Sequence, residues 1–122
     1  MRAVVMILLL ALLLTAGVCG NYIYINEVTE RLLARIDAFP APDDPHCFDA
    51  VLAFLGEWER VANTVSLSVN YSVVDRVSEH AAALSSCAAT QNTLDFYPTL
   101  ELLRNAVRDV CRLERFSIGN LL

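Results

Sequence analysis

The chain reads as all-α: an N-terminal transmembrane helix followed by a small antiparallel helical bundle. Three observations predict this. First, Met1-Arg2 precedes an unbroken apolar run, Ala3–Leu14, and a weaker one continues to Ile25. At about 1.5 Å per helical residue, Ala3–Ile25 reaches roughly 34 Å, against a hydrocarbon core of about 30 Å. Second, apolar residues recur beyond that point at helical spacings of three and four. Third, strand signals are poor: Val65–Val74 is rich in valine and serine but alternates for too few residues to support a sheet.

Residues 1–25 form the anchor. Arg2, Ala3–Leu14 and Thr15-Ala16-Gly17 also resemble the parts of a cleaved signal peptide. Cys19 after Ala16-Gly17-Val18 suggests a lipidation site, but Val18 is branched where a small residue is expected. The apolar return at Tyr22-Ile23-Tyr24-Ile25, with two tyrosines suited to an interfacial belt, favours a retained span. The anchor meets the lipid bilayer through residues 3–25. The basic leader points to the N-terminus inside and the C-terminal domain on the extracytoplasmic side of a cell membrane, crossed once.

Residues 26–39 extend the helix to about Ala38, because Val28, Leu32, Ile36 and Phe39 share a face. Residues 40–45, Pro40-Ala41-Pro42-Asp43-Asp44-Pro45, are a proline-rich linker, since three prolines forbid a helical ladder. Asp44 is a natural N-cap, with Pro45 at the first helical position. Residues 46–122 make up the helical domain. Its first helix, expected from Pro45 to about Val65, carries an apolar stripe of Phe48, Val51, Leu55, Trp58 and Ala62, with Asp49, Glu57, Glu59 and Arg60 solvated. A polar turn at Ser66–Asn70 follows, with Asn70 as cap. The next helix presents Val74, Val77, Ala81 and Leu84 and ends near Cys87, before Thr90-Gln91-Asn92-Thr93. Pro98 fixes the start of the last helix close to itself, and Leu100, Leu103, Val107 and Val110 line its core face. Gly119 is a candidate C′ stop.

The net charge of −5 argues against a nucleic-acid partner, which demands a basic footprint. The four glycines are scattered and form no phosphate loop. His46 and His80 lack a second ligand at metal-binding spacing, so neither a metal nor another cofactor is expected. Glu57 and Glu59 flank Trp58 on different faces, which makes a solvated surface and not an acid–base pair.

The cysteines are the sharpest chemical candidates. With the hairpin turn centred on Ser68, Cys47 lies 21 residues before it and Cys87 19 after it, at similar levels on antiparallel helices. A Cys47–Cys87 disulfide there closes a loop of about 40 residues, worth roughly 3–4 kcal/mol in the chain-entropy model. It needs an oxidising compartment; otherwise Cys47, Cys87 and Cys111 are free packing thiols. A further reading has Cys47 reactive, its pKa lowered by the positive end of a helix. Cys111 maps to the opposite end and is expected to be a buried free thiol. Arg104, Arg108, Arg112 and Arg115 form a stripe that meets either anionic headgroups or an acidic partner, or else is screened by Glu101, Asp109 and Glu114. Ile118, Leu121 and Leu122 either fold back onto the helices or dock onto a partner.

Glu57-Trp58-Glu59, the Val65-Ser66-Leu67 stretch and the closing Phe116-Ser117-Ile118-Gly119-Asn120-Leu121-Leu122 resemble an uncharacterised family of short, membrane-anchored helical proteins of Clostridia and related Firmicutes. Two features depart from that pattern: Asn70 stands where a histidine is expected, and a lysine-rich surface is missing. The resemblance implies a bacterial cell-envelope protein working beside another membrane protein, and it carries over no catalytic residue. The expected function is therefore non-enzymatic: an anchored interaction module for a neighbouring membrane protein. The alternatives are a homo-oligomeric structural envelope protein and a thiol-dependent redox or ligand-sensing domain.

Overall fold

The computed structural model describes residues 1–66 and 71–121, with side chains of the last helix described as far as Arg112. Four helices account for most of it: α1 (Arg2–Asp37), α2 (Cys47–Ser66), α3 (Tyr71–Ala89) and α4 (Thr93–Leu121). No strand occurs among the described residues. The helices close a ring in which α1 packs on α2 and α4, α2 on α3, and α3 on α4. The C-terminal part of α1 is thus a full wall of the bundle.

α1 carries two surfaces on one uninterrupted helix. Val4 to Leu14 contribute large apolar side chains that are 52–71% exposed. From Ile25 onward the helix turns Ile25, Val28, Thr29, Leu32 and Ile36 into the core, each at most 4% exposed. Their spacing of three, one, three and four residues keeps one stripe inward. Ile25, which hydropathy alone assigns to the span, is therefore a bundle residue.

The proline-rich segment is a packed turn. The Asp44 N–H donates to the Ala41 carbonyl at 2.9 Å, which places Pro42 at the second position of a turn, where its fixed φ fits. Pro42 is buried, and Phe39 meets Phe54 edge-to-face at 5.9 Å. Asp44 caps α2 as its residue type predicts: Oδ1 accepts the His46 N–H at 2.8 Å. Helical geometry begins at Cys47, two residues later than Pro45.

On α2 the buried stripe is Cys47, Val51, Phe54, Trp58 and Val65. Phe48 stays 36% exposed, and Leu55 only leans on the core. The expected stripe has the right period but sits rotated on the helix, because Phe54 replaces Phe48 as the inward aromatic. Trp58, 1% exposed, donates from Nε1 to Ser78 Oγ at 2.9 Å and ties α2 to α3 without leaving its polar edge unpaired.

The α3–α4 joint uses a Schellman ending. The Asn92 N–H donates to the Cys87 carbonyl at 2.9 Å and the Gln91 N–H to that of Ala88 at 3.3 Å. Gln91 has φ 54°, the left-handed region that glycine normally fills. Asn92 then caps α4, its Oδ1 accepting the Asp95 N–H at 3.2 Å and its Nδ2 donating to Asp95 Oδ2 at 2.9 Å. That cap starts α4 at Thr93, so Pro98 falls in the second helical turn and not the first. The carbonyl it leaves without an i+4 donor is that of Leu94, a residue 85% exposed. The expected core face of α4 holds, extended by Phe96 and Ala106. Gly119 does not stop the helix, which runs on to Leu121.

The strained joint yields a test. Gln91→Gly should stabilise the full chain in detergent by about 0.5–1 kcal/mol, because it relieves the left-handed penalty, whereas Gln91→Val should destabilise it. Thermal unfolding followed by circular dichroism reads both, and equal midpoints for the two variants contradict the assigned geometry.

Candidate functional site

The candidate surface is the foot of the bundle, where α1 leaves the core and becomes an exposed apolar rod. Among the described residues one helix, α1, is long and apolar enough to cross a membrane. Tyr22 and Tyr24 mark the transition, directly before the first core residue, Ile25.

Cross-helix contacts fix the register of α4 against α1. Arg104 Nη2 donates to Asp37 Oδ1 at 2.9 Å near one end of the seam, and Cys111 Sγ donates to Asn26 Oδ1 at 3.3 Å near the other. Residue numbers rise on one helix as they fall on the other, so the two are antiparallel. α4 therefore continues past Cys111 to Leu121, about 15 Å at 1.5 Å per residue, in the direction of the apolar half of α1.

Between α1 and α4, at the Asn26–Cys111 level, lies an open groove of about 370 Å³ lined by Asn26, Thr29, Glu30, Leu33, Arg108, Cys111 and Arg112. The arginine stripe divides along it. Arg104 is consumed within the bundle, paired to Asp37 and to Glu101, with its side chain only 19% exposed. Arg112 is 76% exposed and lies 3.4 Å from Asp109. Asp109 also stands 3.9 Å from Arg76 of α3. Arg108 is exposed and has no ion pair among the described residues. Glu101 and Asp109 thus screen part of the stripe, and Asp37, from a different helix, adds a partner that spacing within α4 did not reveal. The side chains of Arg115, Ile118 and Leu121, and Leu122 altogether, lie outside the described residues.

Glu57 corrects the expected solvated face. It is 6% exposed and sits in the α1–α2 seam, with Oε1 2.7 Å from Arg31 Nε and Oε2 against Arg35 Nε. Oε2 is shut off from solvent and accepts no aligned hydrogen bond, so opposite charge stabilises it. Its cause is the i,i+4 placement of Arg31 and Arg35, which presents two guanidinium groups to one carboxylate. Glu59, by contrast, is exposed.

Cys47 and Cys87, the expected disulfide pair, stand as free thiols in the structure, as do Cys19 and Cys111. Cys47 is fully buried in the core and Cys87 half-buried against it. Burial, then the nearby Asp44 carboxylate, pushes the Cys47 thiol pKa up. That direction is opposite to the one a helix-end field alone would give. Asp44 moves the opposite way, lowered first by the His46 backbone N–H and then by the imidazole, 3.0 Å away. No group of three potential metal ligands converges among the described residues.

Comparison with protein-family models, with curated proteins and with solved structures gives no match.

Two measurements follow. Glu57→Gln should lower stability by about 1–2 kcal/mol, discounted from the usual buried-pair loss because both arginines are half-exposed. Glu59→Gln should change it by under about 0.5 kcal/mol; equal effects would return Glu57 to the solvent face. Maleimide at neutral pH should leave Cys47 unmodified until the chain is unfolded. With its folded pKa raised, Cys47 supports the fold below the ordinary thiol range, and that contribution disappears as pH rises through the folded value. Rapid native labelling of Cys47 would contradict this assignment.

Proposed function

We propose that this chain is a retained, single-pass membrane protein of the cell envelope, whose helical bundle serves a neighbouring membrane protein without catalysing a reaction. The observation that carries this reading is the continuity of α1. The helix that exposes Val4–Leu14 is also the helix that buries Leu32 and Ile36. An apolar surface of that length needs a nonaqueous surrounding, and a bilayer supplies one. Anchor and bundle are joined with no flexible linker, so tilt or rotation of the span moves the domain as a unit. That coupling suits a partner in the same membrane. Ala16 and Gly20, four residues apart and exposed, give a second helix a place for close approach, since a Cβ at Gly20 would meet nothing within 4 Å. The basic leader favours the bundle on the extracytoplasmic side.

Cleavage of a signal sequence is the competing reading, and it would have to cut α1 within unbroken helix near residues 16–20. Cells expressing the full chain decide between them. The expected result is protein that retains Met1, floats with vesicles and resists alkaline extraction. Soluble material beginning after Gly20 would overturn anchoring. A photo-crosslinker at Ala16 should capture a distinct membrane protein; adducts with the chain itself alone would replace the partner reading with a homo-oligomer.

A further inference from the structure

The geometry points to a lipid site: the groove between α1 and α4 holds the phosphodiester of an anionic phospholipid, met by Arg108 and Arg112. This rests on the anchored reading for its depth. A span of about 30 Å that starts at Ala3 uses roughly twenty helical residues and ends near Tyr22. Asn26 then stands about 6 Å farther out, within the headgroup layer that adds roughly 5–7 Å on each side. Cys111 is bonded to Asn26, so Arg112 lies at that level and Arg108 one turn above it.

The groove has the chemistry for a monoanionic diester. Arg108 and Arg112, four residues apart on α4, both line it, and like charges at that spacing repel unless something answers them. Arg104, on the same stripe, has its answer in Asp37 and Glu101. Arg108 has none among the described residues, and Arg112 has only Asp109, which also lies beside Arg76. Guanidinium groups suit phosphate oxygens because they present paired donors in one plane. Asn26 adds to this: its Oδ1 is taken by Cys111, which leaves its amide N–H groups as donors. Glu30 lines the same groove, so two arginines and one carboxylate give a local charge that balances a single negative ligand. Glu30 also provides an acceptor for a hydroxyl of the headgroup. A phosphatidylglycerol-type lipid satisfies both requirements.

The test uses the full chain in nonionic detergent micelles doped with dioleoyl phosphatidylglycerol or dioleoyl phosphatidylcholine, with bound lipid counted by native mass spectrometry. Wild type should retain the glycerol lipid in preference to the choline lipid. Arg108→Gln with Arg112→Gln should weaken that retention roughly thirtyfold, from about fivefold per arginine at a membrane surface. Arg60→Gln, exposed on α2 and outside the groove, should leave it unchanged, and circular dichroism should show equal helicity throughout. Equal retention by the double variant, no lipid preference, or displacement by millimolar inorganic phosphate would each overturn the proposal, the last by making the groove a free-anion site. Flotation on pure phosphatidylcholine vesicles reads anchoring separately. A chain that floats yet shows no preference in micelles loses only the lipid site, whereas one that fails to float loses the anchor.

Discussion

Everything in this fold depends on α1 being a single helix with one register. Its stripe of Ile25, Val28, Leu32 and Ile36 is set by the same helical phase that orients the exposed Val4–Leu14 segment. A proline or a flexible glycine pair near residue 25 would uncouple the two. Instead Asn21–Asn26 continue the ladder, and the bundle is built on the end of the rod. The other three helices could bury their own apolar faces only partly, because Val51, Phe54 and Trp58 on α2 and Leu103 and Val107 on α4 share a core with α1. Removing the C-terminal third of α1 would expose that core, so this part of α1 is a condition of folding and not an appendage.

Ring closure then falls on the two seams that α1 makes, and they are built differently. Against α4 the seam is broad, with Asp37–Arg104 and Asn26–Cys111 setting its register at either end. Against α2 it is the narrowest of the four, and Glu57 lies in it between Arg31 and Arg35. A buried carboxylate adds little net stability over an apolar side chain of similar shape, since desolvation offsets attraction. What it adds is orientation. A carboxylate facing two guanidinium groups penalises any rotation of α1 that would leave it buried and unpaired. The stiffness of the joint between rod and bundle therefore owes more to this cluster than its contribution to global stability suggests.

Much of this was legible in the residues. Periodicity gave four helices and most of the core, and Pro40–Pro45 and Thr90–Thr93 gave two of the breaks. Asp44 as a cap followed from its residue type. What sequence reasoning missed has physical causes. Glu57 looked solvated because its partners sit on another helix, twenty-two and twenty-six residues away, and helical phase within α2 says nothing about them. Phe48 and Phe54 are nearly interchangeable by periodicity; only the position of Phe39 over the end of α2 decides between them. Proline's preference for the first turn puts the start of α4 too close to Pro98, because Asn92 has the composition of a loop residue yet ends one helix and begins the next. The position of Gln91 in the left-handed region has no local signal at all, since glycine is the residue that would have announced it.

The arginine stripe shows how one sequence pattern acquires separate roles through depth. Arg104, Arg108 and Arg112 recur every four residues and look equivalent along α4. Antiparallel pairing with α1 makes them unequal. Arg104 lies level with the far end of α1, where Asp37 is available and the charge is absorbed as part of the bundle. Arg108 and Arg112 lie toward the foot, where α1 presents Thr29 and Asn26, groups that cannot neutralise a guanidinium. Glu30 supplies one negative charge for the two of them. In the proposed anchored orientation Arg112 falls at headgroup depth and Arg108 one turn above it, while the neutralised end faces water. The asymmetry follows from where α1 changes from core stripe to apolar rod, which sets the level of every residue on α4.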